Sequence, residues 1–326
     1  MSKTRIISKA QAEELLTMKD CVGAMEDTLR DVAAGATSML QRSMMPQQKG
    51  NMFALMAADN QQQGLCGVKA IVFPGAEARQ KGTNQGIVPL FDSATGALLA
   101  IVEAECITAV RTAATSAAAT KVLARPDSRH LAILGAGRIG RLHIEAMLQV
   151  LPIEKVTVWN RTPERAESCC QWARQTFGLQ AAACPTAREA VEQADVVCTI
   201  TQAKTPILEG AWLKPGAHIN AVGACSAQAR ELDSAAVQRS RIYLDRRDAA
   251  LRDGGDLAIP LAAGELAMEN IIGEVGQVML GQVEGRQNDG QITLFESVGI
   301  AVEDLAAAAL IYRLACEKGV GTEVEI

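Results

Sequence analysis

Three glycines spaced G-x-G-x-x-G, at Gly135, Gly137 and Gly140, offer the most legible chemistry in this chain. They follow a short apolar run, 131–134, and precede apolar positions at helical spacing: Leu142, Ile144, Met147 and Leu148. In a strand–turn–helix setting the first glycine permits the tight turn. The second lets a pyrophosphate approach the backbone, and the third lets helix and strand pack closely. The helix N-terminus then offers N–H groups and the positive end of its dipole to the phosphates. The next strand-like run, 155–162, ends at Asn160-Arg161-Thr162, about twenty residues past the last glycine, where such folds select the ribose. An acidic residue there would select NAD. An uncharged Asn160 followed by Arg161 favours a 2′-phosphate and therefore NADPH, with NADH left open.

Three cations lie in segments that otherwise avoid charge. Arg42 interrupts the uncharged run 40–47, Lys69 lies in the strand-like run 66–73, and Arg111 lies in the Ala-rich segment 105–124. An unpaired charge in an apolar setting is costly, and a fixed anionic ligand would compensate it. The planar fork of arginine suits a carboxylate. Glu231, Asp233, Glu303 and Asp304 are the acids that could supply protons. Glu303 and Asp304 open a helix, where first-turn carboxylates are favourable without any function. His130, His143 and His218 read as structural, and Met44, Met45, Met52 and Met56 as core packing.

The bulk composition sets limits on these readings. The 326 residues are 48% hydrophobic and 21% charged, enough for two domains with large cores and unlike a disordered chain. Aromatics are only 3%, so the cores must be built from Ala, Leu, Val, Ile and Met. A net charge of −5 and the lack of a basic run argue against a nucleic-acid partner. Nine cysteines, an odd number without C-x-x-C spacing, fit free thiols in the cytoplasm better than a disulfide framework. Three histidines and no ligand cluster argue against a metal. The N-terminus lacks an apolar core of signal-peptide length, and no run approaches a membrane span.

The elements that must position these residues follow from periodicity. Ser8 and Gln11 form a capping box, and residues 18–34 repeat apolar positions at helical spacing up to Gly35. Strand-like runs at 52–58, 66–73, 87–92 and 97–104, with a hairpin turn at 93–96, make residues 40–104 a mostly antiparallel sheet. Residues 105–124 read as a helix ended by Arg125-Pro126-Asp127. Beyond 130, strands near 131–134, 155–159, 179–183, 195–201, 217–222, 241–245 and 291–296 alternate with helices near 139–150, 163–176, 186–193 and 233–239. That alternation predicts an α/β fold, a Rossmann-type doubly wound parallel sheet preceded by an α+β domain. Ligands bind such sheets at the carboxyl ends of the strands. Residues 253–286 are Gly-rich and give no assignment; 301–318 read as a final apolar helix.

Five stretches carry a resemblance to the ornithine cyclodeaminase/mu-crystallin family, in the family's order and over nearly the whole chain. They are VRTAATSAAATKVLA (110–124), ILGAGRIG (133–140), VWNRTPERAE (158–167), KPGAHINAVGA (214–224) and LFESVGIAVEDLAAA (294–308). The resemblance implies a substrate and dimerisation domain at 1–124, completed by 303–326, an NAD(P)-binding Rossmann domain at 125–302, and a homodimer. It implies that Arg42, Lys69 and Arg111 grip a substrate carboxylate, with Lys69 and Arg111 catalytic. It implies cofactor contacts at Thr83, Arg111, Arg138, Ile139, Asn160, Arg161, Thr162, Thr201, Val222 and Ser297, beside the three glycines. Val298 resembles a position lying against the substrate or nicotinamide. Family members often carry a histidine just before the position of Gln85; Asn84 stands there, so no imidazole is expected to titrate at that point.

One departure bears on the reaction. Cyclodeaminases of the family carry an aspartate shortly after the V-G-G stretch, which acts as a base. Here the stretch is Gly223-Ala224-Cys225, and Cys225 takes that place. A thiol, with a reference pKa of about 8.5, is a poorer base near neutrality than a carboxylate. Cys225 therefore reads as a small pocket-lining residue, as in mu-crystallin and the imine reductases. What is then expected is NAD(P)H-dependent reduction of a pre-formed cyclic ketimine, Δ1-pyrroline-2-carboxylate or Δ1-piperideine-2-carboxylate, to L-proline or L-pipecolate. An alanine-type amino-acid dehydrogenase, an ornithine cyclodeaminase and an NADPH-dependent small-ligand-binding protein are the alternatives left open.

Overall fold

The computed structural model describes residues 3–75 and 84–326; Thr83 lies outside them. The chain divides into two compact units, Met1–Thr112 with Ile300–Ile326, and Ala113–Gly299. The division falls within the helix Ala104–Leu123 rather than after it. Its cause is the bonding of the helix's second half, which is tied to the second unit. Thr120 Oγ1 accepts from Asn220 Nδ2 at 2.9 Å, and the Leu123 carbonyl accepts from Arg286 Nε at 2.8 Å.

The first unit is built on strands β1 (Lys3–Ile7), β2 (Thr37–Met39), β3 (Ser43–Pro46), β4 (Met52–Asn60), β5 (Leu65–Phe73), β6 (Gln85–Asp92) and β7 (Leu98–Glu103). The order is β1-β7-β6-β5-β4-β2, with β3 also on β4 and the C-terminal strand Thr322–Glu325 outside β1. Pairing is antiparallel throughout except between β1 and β7. The strand β1 and the edge strand Thr322–Glu325 were not legible from pattern. Each is short and carries charges, and each gains its ladder from a distant partner. The Ser8–Gln11 capping box is present at the helix Lys9–Leu15. The helix Met18–Ala33 buries Met25 and Leu29, side chains worth roughly 1.5–3 kcal/mol each when fully buried. Gly35 ends it at φ +71°, where a side chain would be strained. The C-terminal helix Ala301–Lys318 packs on Met18–Ala33 and on β4 and β5. Met56 lies in this core, but Met44 and Met45 on β3 are exposed, contrary to the expectation that all four methionines pack inward.

The second unit is a parallel sheet of β8 (His130–Leu134), β9 (Lys155–Trp159), β10 (Gln180–Ala183), β11 (Val196–Thr199), β12 (His218–Ala221), β13 (Ser240–Leu244), β14 (Ile271–Glu274) and β15 (Ile292–Glu296). Its order, β10-β9-β8-β11-β12-β15-β13-β14, reverses direction at β8, as a doubly wound sheet does. All its pairs are parallel, so the carboxyl ends of the strands share one rim. β8, β11 and β12 are buried along their whole length, which is why β8 and β11 read as mostly apolar runs. The Gly-rich stretch contains the helix Gly255–Ala262, β14 and the helix Val275–Met279. Pro260 inside the first of these helices helped to hide it. No helix among the described residues is long and apolar enough to cross a membrane.

Candidate active site

In the first unit the three cations come together. Lys69 is on β5, opposite Met56 of β4, and is 2% exposed. Gly67 shares its face, and a Cβ there would stand 2.6 Å from the Pro89 carbonyl of β6 and 3.1 Å from Leu305 of the C-terminal helix, so the glycine is needed for the close packing of the strands. The N-terminal turn of the helix carries two acids directly to the cations. Lys69 Nζ donates to Asp304 Oδ2 at 2.6 Å, and Arg111 Nε donates to Asp304 Oδ1 at 2.9 Å. Arg111 Nη1 donates to Glu303 Oε2 at 2.6 Å. Glu303 and Asp304 are buried, so they are not the idle first-turn carboxylates expected from sequence. The signal was available: two acids in the apolar run 300–311 raise the same question as the isolated cations, and the cations are the answer.

The electrostatics follow from this packing. Burial pulls Lys69 down from the ordinary lysine range to about 8, with Asp304 opposing that fall and Arg111 and Arg42 adding to it. The half-buried Arg42 thus acts on the same site. Burial alone would raise Asp304, but the facing Arg111 and Lys69 charges outweigh it and hold the carboxyl below its usual range. Cys21, buried beside Arg111 and Glu303, is pushed up by burial and remains a neutral thiol.

In the second unit the glycine turn has the geometry a dinucleotide needs. Gly135 has φ +118°, and a Cβ there would lie 2.3 Å from the Ile200 carbonyl. A Cβ on Gly140 would lie 2.0 Å from the Gly135 carbonyl. Gly137, the N-cap of the helix Arg138–Met147, would meet nothing within 4 Å and has no side-chain cap. That open cradle at a helix N-terminus fits a pyrophosphate. Arg138 is exposed and Ile139 partly buried in the first turn. Asn160 Oδ1 accepts from Ala136 N at 3.1 Å and its Nδ2 donates to the Thr162 carbonyl, so this side chain braces the turn. Arg161 and Thr162 are exposed beside it.

Further along the rim, backbone bonds link strand ends in sequence. Ile200 N donates to the Leu134 carbonyl, Val222 N to Thr199, and Ser297 N to Ala221. Ser297 is buried with no partner for its Oγ among the described residues, an orphaned group that a cofactor could satisfy. Cys225 is exposed on the turn after β12, its Sγ donating to the Val222 carbonyl at 3.3 Å. No aspartate replaces it within this turn.

Sequence reasoning named Glu231 only as a possible proton donor and missed Asp245, Asp256 and Glu296, the other acids around these turns. Glu231 Oε1 accepts from Thr201 N at 2.6 Å and its Oε2 from Gly223 N at 2.9 Å. Asp245 Oδ2 accepts from Val298 N and Gly299 N, each at 2.8 Å. Asp256 Oδ1 accepts from the amides of Glu231 and Leu232. Glu296 completes the group. Burial and the neighbouring Asp256, Asp245 and Glu231 hold it well above the usual carboxylate range. Asp256 is raised to about 7, chiefly by burial. Asp233 caps the helix Ser234–Gln238. The histidines are bonded internally: His130 to Gln193 and Thr157, His143 to Ile139 and Ser116, and His218 to Thr293. No group of three or more potential ligands among the described residues could hold a metal ion.

Fold and glycine turn together define a two-unit enzyme of the nucleotide-binding class, with a buried cluster of cations and acids in its first unit. The profile of the ornithine cyclodeaminase/mu-crystallin family matches residues 2–319, and the chain belongs to that family. It is 35% identical to a Δ1-pyrroline-2-carboxylate reductase of Bacillus cereus, over 98% of this chain and 99% of that one. The solved Δ1-pyrroline-2-carboxylate reductase of Thermococcus litoralis, in complex with NADH and L-proline, superposes with a TM-score of 0.94 at 33% identity. It covers 98% of this chain and 100% of its own. An archaeal alanine dehydrogenase dimer with bound NAD also gives 0.94, at 28% identity over the full length of both.

Proposed function

We propose that this chain is an NAD(P)H-dependent reductase of cyclic ketimines, converting Δ1-pyrroline-2-carboxylate or Δ1-piperideine-2-carboxylate to L-proline or L-pipecolate. The observation that carries the reading is the buried Lys69–Arg111 pair, held by Asp304 and Glu303 with the half-buried Arg42 acting on it, in a chain whose cyclodeaminase aspartate is replaced by Cys225. The likeness to Δ1-pyrroline-2-carboxylate reductases over the whole chain supports it.

Lys69, Arg111 and Arg42 fix the substrate carboxylate and thereby orient the adjoining C=N carbon, which is the main work of such a site. Gly135, Gly137 and Gly140, the first turn from Arg138 and Ile139, Thr201, Val222 and Ser297 would hold the dinucleotide. Arg161 would meet a 2′-phosphate, giving NADPH, with NADH also accepted. When bound, the reduced nicotinamide supplies the hydride that reaches the imine carbon. Val298 is a further expected contact. No carboxylate base is needed, because the imine arrives already formed.

The outer face of the first unit's sheet supports a homodimer. Leu55, Ala70 and Ile87 align across β4, β5 and β6, and Met45 pairs with Phe53 beside them. Met45, Leu55 and Ile87 are 53, 41 and 45% exposed, an apolar patch that a second copy would cover. The nine free thiols fit a reducing cytoplasm.

NADPH oxidation should be rapid with either cyclic ketimine and much slower with pyruvate plus ammonia. The likeness to alanine dehydrogenase makes the linear imine of pyruvate the second reading. Faster turnover of pyruvate plus ammonia would replace the first reading with the second.

A further inference from the structure

In the second unit's acid group, Glu231, Asp245 and Asp256 each accept from two backbone amides. Glu296 differs: no backbone amide among the described residues donates to its side chain, and its Oε2 has no hydrogen-bond partner. It is 1% exposed at the end of β15, in register with Ala221 of β12 and Leu244 of β13. Those neighbours lead into Val222–Gly223 and Asp245. A Cβ on Gly254 would lie 2.6 Å from Glu296 Oε1, so the chain entering the helix Gly255–Ala262 closes over the carboxyl. Asp256, in the first turn of that helix, is equally buried, and its Oδ2 also lacks a partner among the described residues. A charge on Glu296 would be buried with no cation to answer it. A neutral carboxyl has an O–H to donate, and a carboxylate oxygen such as Asp256 Oδ2 can accept it.

We propose that Glu296 is a positioning residue of the cofactor rim, carrying a proton directed at Asp256, and that losing this proton loosens the rim and weakens dinucleotide binding. The proposal rests on the reading of the rim as a dinucleotide site. While Glu296 is neutral, its neighbours keep their amide bonds. Glu231 holds the turns at Thr201 and Gly223, and Asp245 holds Val298 and Gly299. Asp256 holds the backbone of Glu231 itself. A negative charge on Glu296 would repel all three acids at once and push them off the turns they secure.

The groups that face Glu296 come from three places. Asp256 lies on the helix Gly255–Ala262, Asp245 follows β13, and Glu231 lies between β12 and the helix Ser234–Gln238. All three oppose its charge, as does burial. Arg230 bears on Asp256, where it favours the ionised form. The proton is therefore kept at Glu296, and Asp256 is the acid that ionises first, at about 7.

The test is the Kd of NADPH, without substrate, titrated by fluorescence across the neutral and alkaline range. In the wild-type protein Kd should rise about tenfold or more on the alkaline side, the worth of a lost charged hydrogen bond. E296Q is neutral at every pH and keeps an N–H donor for Asp256, so its Kd should stay nearly flat. D256N removes the charge that most strongly opposes ionisation of Glu296, so the rise in Kd should begin about one pH unit earlier. A Glu296 that only fills space would change the level of Kd and leave its pH dependence as in wild type. Lys69, which titrates at about 8, is common to all three proteins and cannot produce the difference. A wild-type Kd that is flat with pH, or an E296Q profile that follows wild type, overturns the inference and leaves the dinucleotide reading standing. Should E296Q fail to fold, D256N decides, and an unmoved rise overturns the inference. A wild-type protein that binds neither NADPH nor NADH overturns both.

Discussion

Two groups of buried acids, one in each unit, are built from the same residue types and end in opposite states. In the first unit Glu303 and Asp304 meet Lys69 and Arg111, and the Asp304 carboxyl is held below its usual range. In the second unit Glu231, Asp245 and Asp256 meet backbone amides, and Glu296 meets other acids. There burial raises Glu231, and burial with repulsion from neighbouring acids raises Asp256 and Glu296. Burial is equally severe in both; the presence of a facing cation decides the outcome. The first group maintains charge where we propose that a substrate carboxylate binds. The second uses acids as acceptors that shape the turns of the rim.

The largest expected effect comes from breaking the ionised group. Arg111→Ala removes a proposed substrate contact and strands Glu303 and Asp304 without their guanidinium. Activity toward a cyclic ketimine should fall by roughly two orders of magnitude or more. Stability should fall by about 3–5 kcal/mol, the usual loss when one partner of a buried pair is removed. Steady-state kinetics and denaturant unfolding read the two separately. Activity lost with stability unchanged would show that the pairing does not hold the fold.

A smaller effect is expected at the cofactor rim, where Arg161 is the exposed cation beside the braced Asn160. Arg161→Ala should lower kcat/KM for NADPH about ten- to a hundredfold, the range of one charged hydrogen bond, and leave NADH nearly unaffected. Equal losses with both cofactors would remove the 2′-phosphate assignment.

The second acid group should declare itself through pH. A carboxyl raised in the folded state stabilises fully below its unfolded pKa, and that contribution is lost as pH rises toward the raised value. Glu296 and Asp256 should therefore make the wild-type protein less stable between about pH 4 and pH 7 and above. Glu296→Gln removes one titrating site. Its melting temperature should gain on wild type as pH rises from 5 to 8, by about 2–4 °C per kcal/mol. A constant difference at all pH values would mean that Glu296 does not hold a proton. The smallest effect belongs to Cys225→Ser. The thiol is exposed and donates to the Val222 carbonyl at the end of its turn, so turnover should change less than about twofold. A large loss would give Cys225 a role in the chemistry.

The same contrast explains what was legible from residues alone. The glycine turn was readable because each of Gly135, Gly137 and Gly140 answers a separate local demand, with φ, open space and close packing each evident in sequence order. The strands β8 and β11 were readable because burial on both faces makes them mostly apolar. Lys69 and Arg111 stood out as charges in apolar surroundings, but the same reasoning was not applied to Glu303 and Asp304. Those acids are 192 to 235 residues from their partners, a pairing that no local pattern records. Asp245 and Glu296 were hidden for a related reason. An acid that caps a distant turn has no period or motif, and its purpose is visible only once Val298, Gly299 and their neighbours are folded against it. The strand β1 depended likewise on distant partners, β7 on one side and the C-terminal strand on the other.

The central claim is that the buried cations of the first unit recognise an acid group next to the C=N bond. It can be tested without altering the protein, by comparing Δ1-pyrroline-2-carboxylate with Δ1-pyrroline, the same ring without the carboxylate, under NADPH. A carboxylate gripped by these cations predicts kcat/KM lower by roughly 10²–10⁴-fold for the truncated ring. Equal efficiency with both rings would contradict it.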